Sequence, residues 1–459
     1  MFRHHSSGFL CSHRIATMAI LLATFLLACS TVEAQVNERT KKVLADRAKI
    51  TAEGFWIYND LPAAFEQARR NGKPILVVLR CLPCEECVKL DDEVVDHDPV
   101  IRPLLEQFVC VRVVSTNGLD LSLFQFDTDQ SFAVFMLRDE HTIYGRFGTR
   151  SHRTDWLGDV SMLGFAEALR GALELHQTWP TEKSALISKI GIPPQYARPE
   201  LLPSLQQRNE YSSKLNYSGD VVKSCIHCHQ IGDAIRDEFR SASEPIPEKI
   251  LYPYPHPKSI GLILDPTTRG TIREVLKASP AENAGLQNGD KILRMQGQPI
   301  LSTADIQWVL HNASPQDTAI QVLIERKQTE QTIDLVLPEG WRQNDDISWR
   351  VSTWGLRRMA SGGMRLDPLS NEDRAALQFD PGPAAMKVKS VGQYGPHAAA
   401  KKAGFQVGDI VTEIDGRTDL RSETDLLEYG VTQLKPGDKV TVTVFRDGEK
   451  RTLLLPMQK

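Results

Sequence analysis

The chain has 459 residues, of which 41% are hydrophobic and 24% are charged, so it is long enough for several globular domains with cores of their own. Its formal net charge is −4, which argues against the basic surface that a nucleic acid or an anionic membrane attracts. We therefore expect no nucleic-acid partner.

The N-terminal segment has the pattern of an export signal. Arg3 and Arg14 precede an apolar run over residues 18–28, and Val32-Glu-Ala34 carries the small residues of a cleavage site. No segment reaches the roughly 20 apolar residues of a transmembrane helix. We predict a signal peptide over residues 1–34 and an exported protein of the periplasm or cell envelope. In the alternative, Leu26-Leu-Ala-Cys29 resembles a bacterial lipobox, which would make Cys29 a lipid anchor.

The next part of the chain predicts an α/β domain over residues 56–178. It follows residues 35–55, which are interpreted as a linker or an exposed helix. Asp60 and Pro62 are suited to the first turn of a helix, and residues 73–79 form an apolar, β-branched run typical of a buried strand. The later elements are listed in chain order: helix 88–95, strand 109–114, strands 132–137 and 143–147 as a hairpin, and helix 166–175.

Three cysteines, Cys81, Cys84 and Cys87, fall where the buried strand gives way to the helix. Two cysteines separated by two residues can form a disulfide, and the helix N-terminus stabilises a thiolate on the first of them. We predict Cys84 and Cys87 as a catalytic pair, with Cys81 as a resolving thiol or as the third ligand of a Cu(I) or Zn site. The alternatives are a structural disulfide for the pair and an unreactive cysteine at position 81.

The element order and the Cys-x-x-Cys spacing resemble the thioredoxin-like fold, closest to the subgroup with a long segment after the first cysteine. The resemblance implies thiol–disulfide exchange at Cys84 and Cys87. Two departures weaken that implication: Ser131 takes the place of the usual cis-proline, and Val78 takes the place of a buried acid.

A second cysteine motif, Cys225-Ile-His-Cys228-His229, lies within residues 179–258, which are interpreted as a linker or a small cytochrome c-like segment. Cys-x-x-Cys-His is the attachment pattern of haem c, with two thioethers and a histidine ligand to iron. The pattern predicts haem c held by Cys225, Cys228 and His229, with His256 or His227 as the sixth ligand. A second redox pair and a partial zinc site are the alternatives.

The C-terminal part contains two repeats, over residues 259–338 and 350–457. Each has a helix ending in Ala-Gly, at Gly285 and Gly404, followed by a Gly-Asp turn into a strand. The repeats resemble PDZ domains of the type associated with periplasmic proteases. The resemblance implies binding of polypeptide C-termini or extended peptides, with Ile260, Gly261 and Leu262 as peptide-binding residues in the first repeat and residues 361–366 as their counterpart in the second. In the alternative, the grooves dock onto neighbouring domains.

Together these features predict a multidomain protein: an α/β thioredoxin-like domain, a short, mostly α or irregular segment with the Cys-x-x-Cys-His motif, and two mainly-β (α+β) PDZ domains. No serine-protease motif of the Gly-x-Ser-x-Gly kind is present in the chain. We expect an exported thiol–disulfide oxidoreductase or redox relay that captures polypeptide clients through its PDZ domains, with no nucleotide cofactor. The alternative is a non-catalytic PDZ adaptor whose cysteine sites are structural or bind metal.

Overall fold

A computed structural model describes residues 38–80, 98–130, 132–149, 160–314 and 318–459. The signal segment with Cys29, the stretch that holds Cys81, Cys84 and Cys87, and Ser131 lie outside these ranges. Within the described ranges, every helix is too short or too polar to cross a membrane.

The N-terminal domain is built on a five-stranded sheet of order β1-β3-β2-β4-β5. Strands β1 and β2 run parallel to β3, while β4 is antiparallel to both β2 and β5. Every residue of β2 is buried, as expected for a strand that is covered on both faces. The strands are β1 (Ile57–Tyr58), β2 (Ile75–Arg80), β3 (Val109–Val113), β4 (Phe132–Leu137) and β5 (Ile143–Thr149).

Helices cover the two faces of this sheet. Asp60 caps α2 by accepting a hydrogen bond from the Ala63 N–H at 3.0 Å, and Gly72 ends it at φ 70°. The predicted cap at Asp60 is therefore confirmed. Helix α2 packs on one face, and α4 packs on the other through Phe165 and Leu169. The helices are α1 (38–53), α2 (Leu61–Asn71), α3 (Ile101–Leu105) and α4 (Met162–Gln177).

The segment after the sheet completes the core on the α2 face. The connection between β3 and β4, residues 115–130, contains no helix. A later part of the chain, within residues 179–258, covers that part of the sheet instead. Ile226 and Ile231 are buried in the same cluster as Phe124 and Phe135, so these parts of residues 179–258 share the core of the thioredoxin-like domain. The helices here are α5 (Lys183–Leu186), α6 (Pro203–Gln206), α7 (Cys228–Ser241) and α8 (Glu248–Leu251).

The first repeat has a four-stranded sheet of order β11-β10-β8-β9 and a two-stranded sheet of β6 and β7. Its core includes Ile260, Leu262 and Trp308. Its elements are β6 (Leu262–Leu264), β7 (Ile272–Val275), α9 (Pro280–Asn283), β8 (Lys291–Met295), β9 (Gln298–Pro299), α10 (Thr303–Asn312), β10 (Thr318–Arg326) and β11 (Thr329–Leu337).

The second repeat has a five-stranded sheet of order β12-β13-β14-β15-β16, so β12 is an edge strand. The helix α11 precedes that edge strand and packs against α14. The elements are α11 (Thr353–Ser361), β12 (Met364–Pro368), α12 (Asn371–Ala376), β13 (Met386–Val391), α13 (Ala399–Lys402), β14 (Ile410–Ile414), α14 (Glu423–Thr432), β15 (Lys439–Arg446) and β16 (Glu449–Pro456).

Buried ion pairs join the domains. Lys189 Nζ lies 2.7 Å from Asp305 Oδ1, and both side chains are at most 1% exposed. Arg350, which precedes α11, donates to Asp127 Oδ1 at 2.7 Å and to Asp129 Oδ2 at 3.2 Å in the thioredoxin-like domain. Because charges are buried only where they are paired, these contacts fix how the domains pack.

Candidate functional site

The Cys-x-x-Cys-His motif is held by a loop of the thioredoxin-like domain. The side chain of Asn117, just after β3, donates to the Ser224 carbonyl at 2.9 Å and accepts from the Ile226 N–H at 2.8 Å. The N–H of Thr116 donates to the Ile226 carbonyl at 3.1 Å. One asparagine therefore fixes the backbone on both sides of Cys225.

Cys225 is buried, with 7% of its surface exposed. Burial raises the pKa of its thiol, and a hydrogen bond with Ser115 opposes that rise. Cys225 is therefore a protected thiol.

Cys228 and His229 open helix α7, and both are half-buried. Cys228 packs against the α2-face core, at the helix end whose dipole favours a thiolate. His229 Nδ1 faces Asp233 Oδ2 at 3.5 Å, and its ring stacks on that of His227 with centroids 5.9 Å apart. Burial lowers the pKa of His227 to about 4. The second cysteine of this motif, Cys228, starts the helix, whereas the sequence predicts the helix-stabilised thiolate of the other pair on its first cysteine, Cys84.

The surroundings of the motif test whether a haem fits. Both sulfurs of a haem c must face one crevice that accepts the porphyrin. Here Ile226, between the cysteines, has no exposed surface, Cys225 is buried, and Cys228 packs on the core. These residues do not fit a covalently attached porphyrin without displacing core side chains. Haem attachment stays a prediction from the sequence that the packing of these residues does not favour.

The other ligands expected from the sequence have roles of their own. His256 precedes a 3₁₀ turn (Pro257–Ile260), and its Nδ1 accepts from the Lys258 N–H at 3.1 Å. His256 thus orders the start of the first PDZ repeat. Among the described residues, no group of three or more His, Cys, Asp or Glu side chains is placed to hold a metal ion.

The end of β2 is anchored by helix α1. Arg80, the last described residue before the Cys81–Cys87 stretch, donates to Asp46 Oδ1 at 2.6 Å, and its side chain is fully buried. Strands β2 and β3 are parallel neighbours, with Leu79 opposite Val113, so their C-terminal ends lie side by side. Arg80, at the end of β2, and the Asn117 loop that follows β3 and holds Cys225 therefore lie on the same side of the sheet.

The loop predicted to bind a peptide carboxylate in the first repeat is buried. Ile260 and Leu262 have no exposed surface, and the Gly261 N–H donates to the Lys258 carbonyl at 3.0 Å. A second 3₁₀ turn (Trp341–Asn344) packs against this loop: Asn344 donates to the Ser259 carbonyl at 3.4 Å.

Both walls of the first groove also contact the thioredoxin-like domain. Asp305 of α10 accepts from the Arg146 N–H of edge strand β5 at 3.2 Å. On the other wall, the turn after β6 brings the Pro266 carbonyl within 2.8 Å of the Ser161 hydroxyl, which donates to it. This geometry supports the alternative in which the groove docks onto its neighbour.

The second groove is closed by a side chain of the repeat's own helix α14. Glu423 accepts from the Leu366 N–H of β12 at 3.0 Å, where an added peptide strand would otherwise place a carbonyl. Arg357 of α11 holds Glu423 with bonds of 2.9 and 2.6 Å. The Gly363 N–H, in the counterpart of the carboxylate loop, donates to the Arg357 carbonyl at 2.8 Å.

Sequence reasoning missed the residues that organise these sites: Asn117, Asp46, Arg357 and Glu423. Each acts through a partner far away in the chain, for example 109 residues away for Asn117 and Ile226. The one local signal was Asn117-Gly118, a turn dipeptide, which does not reveal its partner.

Comparison with known proteins supports the domain assignment. A family model described as thioredoxin-like matches residues 56–138, and a PDZ domain model matches residues 258–337 and 363–456. The chain therefore contains a thioredoxin-like domain and two PDZ domains, as predicted.

Two curated relatives are named probable periplasmic serine endoprotease DegP-like. The one from Pseudomonas savastanoi pv. phaseolicola is 28% identical over 188 residues, which are 40% of this chain and 36% of the relative. The one from Pseudomonas putida is 28% identical over 187 residues, 40% of this chain and 37% of the relative. The chain thus spans little more than a third of their length. A solved HtrA-type protease AlgW with decapeptide has 21% identity and a TM-score of 0.20, covering 30% of this chain and 41% of that one.

Proposed function

We propose that this protein is an exported thiol–disulfide exchange protein in which Cys225 and Cys228 form a second dithiol, in addition to the pair predicted at Cys84 and Cys87. The observation that carries the proposal is the Asn117 clamp, which builds the second motif into the thioredoxin-like domain. The C-terminal ends of β2 and β3, which lie side by side, support exchange between the two pairs. The periplasmic relatives support export.

In the proposed exchange, Cys228 reacts first because it is the more exposed thiol and starts a helix. Its thiolate attacks a disulfide sulfur and releases the other sulfur as a thiolate. Cys225 then loses its proton and attacks Cys228 Sγ, which releases the second thiolate. Two electrons pass from the Cys225–Cys228 dithiol to the partner disulfide, and the reverse sequence oxidises a partner dithiol.

Trapping experiments test this order. We expect Cys225→Ser to accumulate a mixed disulfide at Cys228, detected by intact-mass spectrometry after addition of a disulfide peptide, because the resolving thiol is gone. Cys228→Ser should form none at position 225. The control is Cys110→Ser, since Cys110 is buried in β3 and its Sγ donates to the Leu105 carbonyl at 3.3 Å.

A visible spectrum of protein produced with haem c maturation separates the two interpretations of the motif. We expect no covalent haem band. A band that disappears in Cys225→Ser would overturn the dithiol proposal, as would equal trapping in the wild type and both variants of the motif.

A PDZ adaptor is the second candidate function. It is favoured by β12, whose outer edge is available for strand addition once the Glu423 contact is released. Insulin reduction separates the candidates: turnover that is lost in Cys84→Ser and reduced in Cys228→Ser supports exchange, whereas no turnover in the wild type supports the adaptor.

A further inference from the structure

An apolar cleft of about 400 Å³ lies between the thioredoxin-like domain and the first PDZ repeat. Its walls come from the connection between β3 and β4, residues 191–194, helix α7, helix α8 with residues 253–254 after it, and the end of α10. Its mouth is marked by Ile192, which is 92% exposed. The cleft does not include the cysteines of the proposed exchange site.

Most of the wall is hydrocarbon. Phe124 and Phe126 contribute from the connection between β3 and β4, Ile231 and Ile235 from α7, and Trp308 from α10. A cleft lined in this way favours an apolar molecule, and its few polar groups decide which end of that molecule enters first.

Arg236 is the buried cation of the wall. Its side chain lines the cleft, only 2% of the residue is exposed, and its Nε and Nη1 have no hydrogen-bond partner. Asp127, Asp129 and Asp233 attract this guanidinium, and Arg350 repels it. Asp127 and Asp129 both accept hydrogen bonds from Arg350 instead. Buried donors without acceptors are costly, so Arg236 calls for an acceptor from a ligand.

Three other polar groups of the wall are engaged. Lys249 Nζ donates to Asn312 Oδ1 at 3.0 Å. Gln125 donates to the Ile192 carbonyl at 2.9 Å and accepts from the Gly191 N–H at 2.8 Å. His311 Nδ1 accepts from the Tyr254 N–H at 3.2 Å. Arg236 differs from these groups because its Nε and Nη1 have no hydrogen-bond acceptor.

We propose that the cleft binds an apolar monocarboxylate, with its carboxylate on Arg236 and its hydrocarbon body between the side chains of α7 and Phe124. A planar guanidinium pairs with a carboxylate through two parallel hydrogen bonds. The apolar wall excludes water from that pair and so strengthens it. Free fatty acids and the C-terminal residue of an apolar peptide share this chemistry.

Calorimetry on the purified protein tests the site with decanoate as the probe and decanol as its uncharged match. We expect decanoate to bind about tenfold or more tightly than decanol, because a hydrogen-bonded charge pair adds to the same hydrocarbon contact. Arg236→Gln should remove that difference. The control is Arg358→Gln, since Arg358 also pairs with α7, through Asp237 at 2.7 Å, but does not line the cleft.

A second variant keeps the test valid if Arg236→Gln fails to fold. Ile235→Trp fills the cleft and should abolish binding of both probes. Equal affinity for decanoate and decanol in the wild type, or no binding of either, would overturn the proposal. Competition by a decapeptide with an apolar C-terminal residue, but not by its C-terminal amide, would assign the site to peptide ends rather than to free acids.

Discussion

The two PDZ repeats share a local framework and differ in what closes their grooves. In the first, Arg326 binds Asp290 at 2.7 and 2.6 Å and the Gly285 carbonyl at 2.8 Å. In the second, Arg446 makes the same contacts with Asp409 and Gly404, at 2.5, 2.7 and 2.9 Å. This fork ties the Gly-Asp turn to the long hairpin, so the repeat motif specifies the fold of each domain.

The grooves, by contrast, are closed by unlike partners. The first is covered by the thioredoxin-like domain and by the 3₁₀ turn at Trp341–Asn344. The second is closed by Glu423 and by helix α11 of its own repeat. The framework is therefore encoded within each repeat, whereas the accessibility of the groove depends on contacts that differ between the repeats: the neighbouring domain for the first, and Arg357 and Glu423 for the second.

The largest expected effect comes from changing one equivalent position in each repeat. Asp305 and Asp425 both accept from the N–H four residues earlier. Only Asp305 also pairs with buried Lys189. We expect Asp305→Ala to lower the free energy of unfolding by about 3 kcal/mol or more, because it leaves the buried Lys189 charge without its partner. Asp425→Ala should lower it by about 1 kcal/mol, the cost of a lost helix cap. Urea midpoints of the first transition measure both. Equal losses would contradict the difference in docking.

Acid should affect the two repeats differently, because the position of His311 in the first repeat is occupied by Val431 in the second. Burial lowers the pKa of His311 well below its usual value. The unfolded chain binds a proton below about pH 6.5, while the folded chain stays neutral there, so stability is present above that pH and is lost as the pH falls. We therefore expect the free energy of unfolding to fall as the pH is lowered from 6.5 to 5.

Hydrogen exchange at pH 7 and 5, corrected for intrinsic rates, locates this effect. Protection of α10 should fall while that of α14 is retained. His311→Gln, which keeps an acceptor for the Tyr254 N–H, should flatten the pH dependence of the urea midpoint. An unchanged slope in that variant would assign the acid effect to other groups.

The smallest expected effect comes from a substitution that opens the second groove. Glu423→Ala frees the Leu366 N–H, and we expect a fluorescent decapeptide with a free apolar C-terminus to bind about tenfold tighter than to the wild type, because strand addition needs that donor. Glu423→Gln is the matched control, since its amide oxygen still accepts from Leu366. Fluorescence anisotropy measures both. Equal affinity for the wild type and Glu423→Ala would show that this contact does not govern the groove.

The sequence predicts the features that depend on neighbouring residues, such as helix starts and turns. Asp60 signals a helix start, and the Gly-Asp turns at residues 289–290 and 408–409 signal the PDZ repeats, because their partners lie within a few residues or within one domain. The docking of the Cys225 motif could not be predicted. It depends on Asn117, whose amide gives no sign of a partner more than a hundred residues away.

The same limit applies to the groove residues. Ile260 and Leu262 match the carboxylate-loop pattern of a PDZ domain, and both side chains lie in the core of their own repeat. The neighbouring Ser259 carbonyl is covered by a turn near residue 341. The sequence pattern identifies the loop but does not predict whether the loop is exposed to solvent. The predicted catalytic residues Cys84 and Cys87 lie outside the described residues, so their role stays a prediction.

Arg350 has a consequence for the order in which the chain acquires its structure. It is the residue that pairs with Asp127 and Asp129, from which it is separated by 223 and 221 positions. During synthesis the N-terminal domain emerges first, so its two carboxylates remain hydrated until position 350 has been made. We therefore expect the thioredoxin-like sheet to form early and its loop 115–130 to set late. Closing so long a loop is slow, so we expect the pairing of Arg350 with Asp127 and Asp129 to form late in folding.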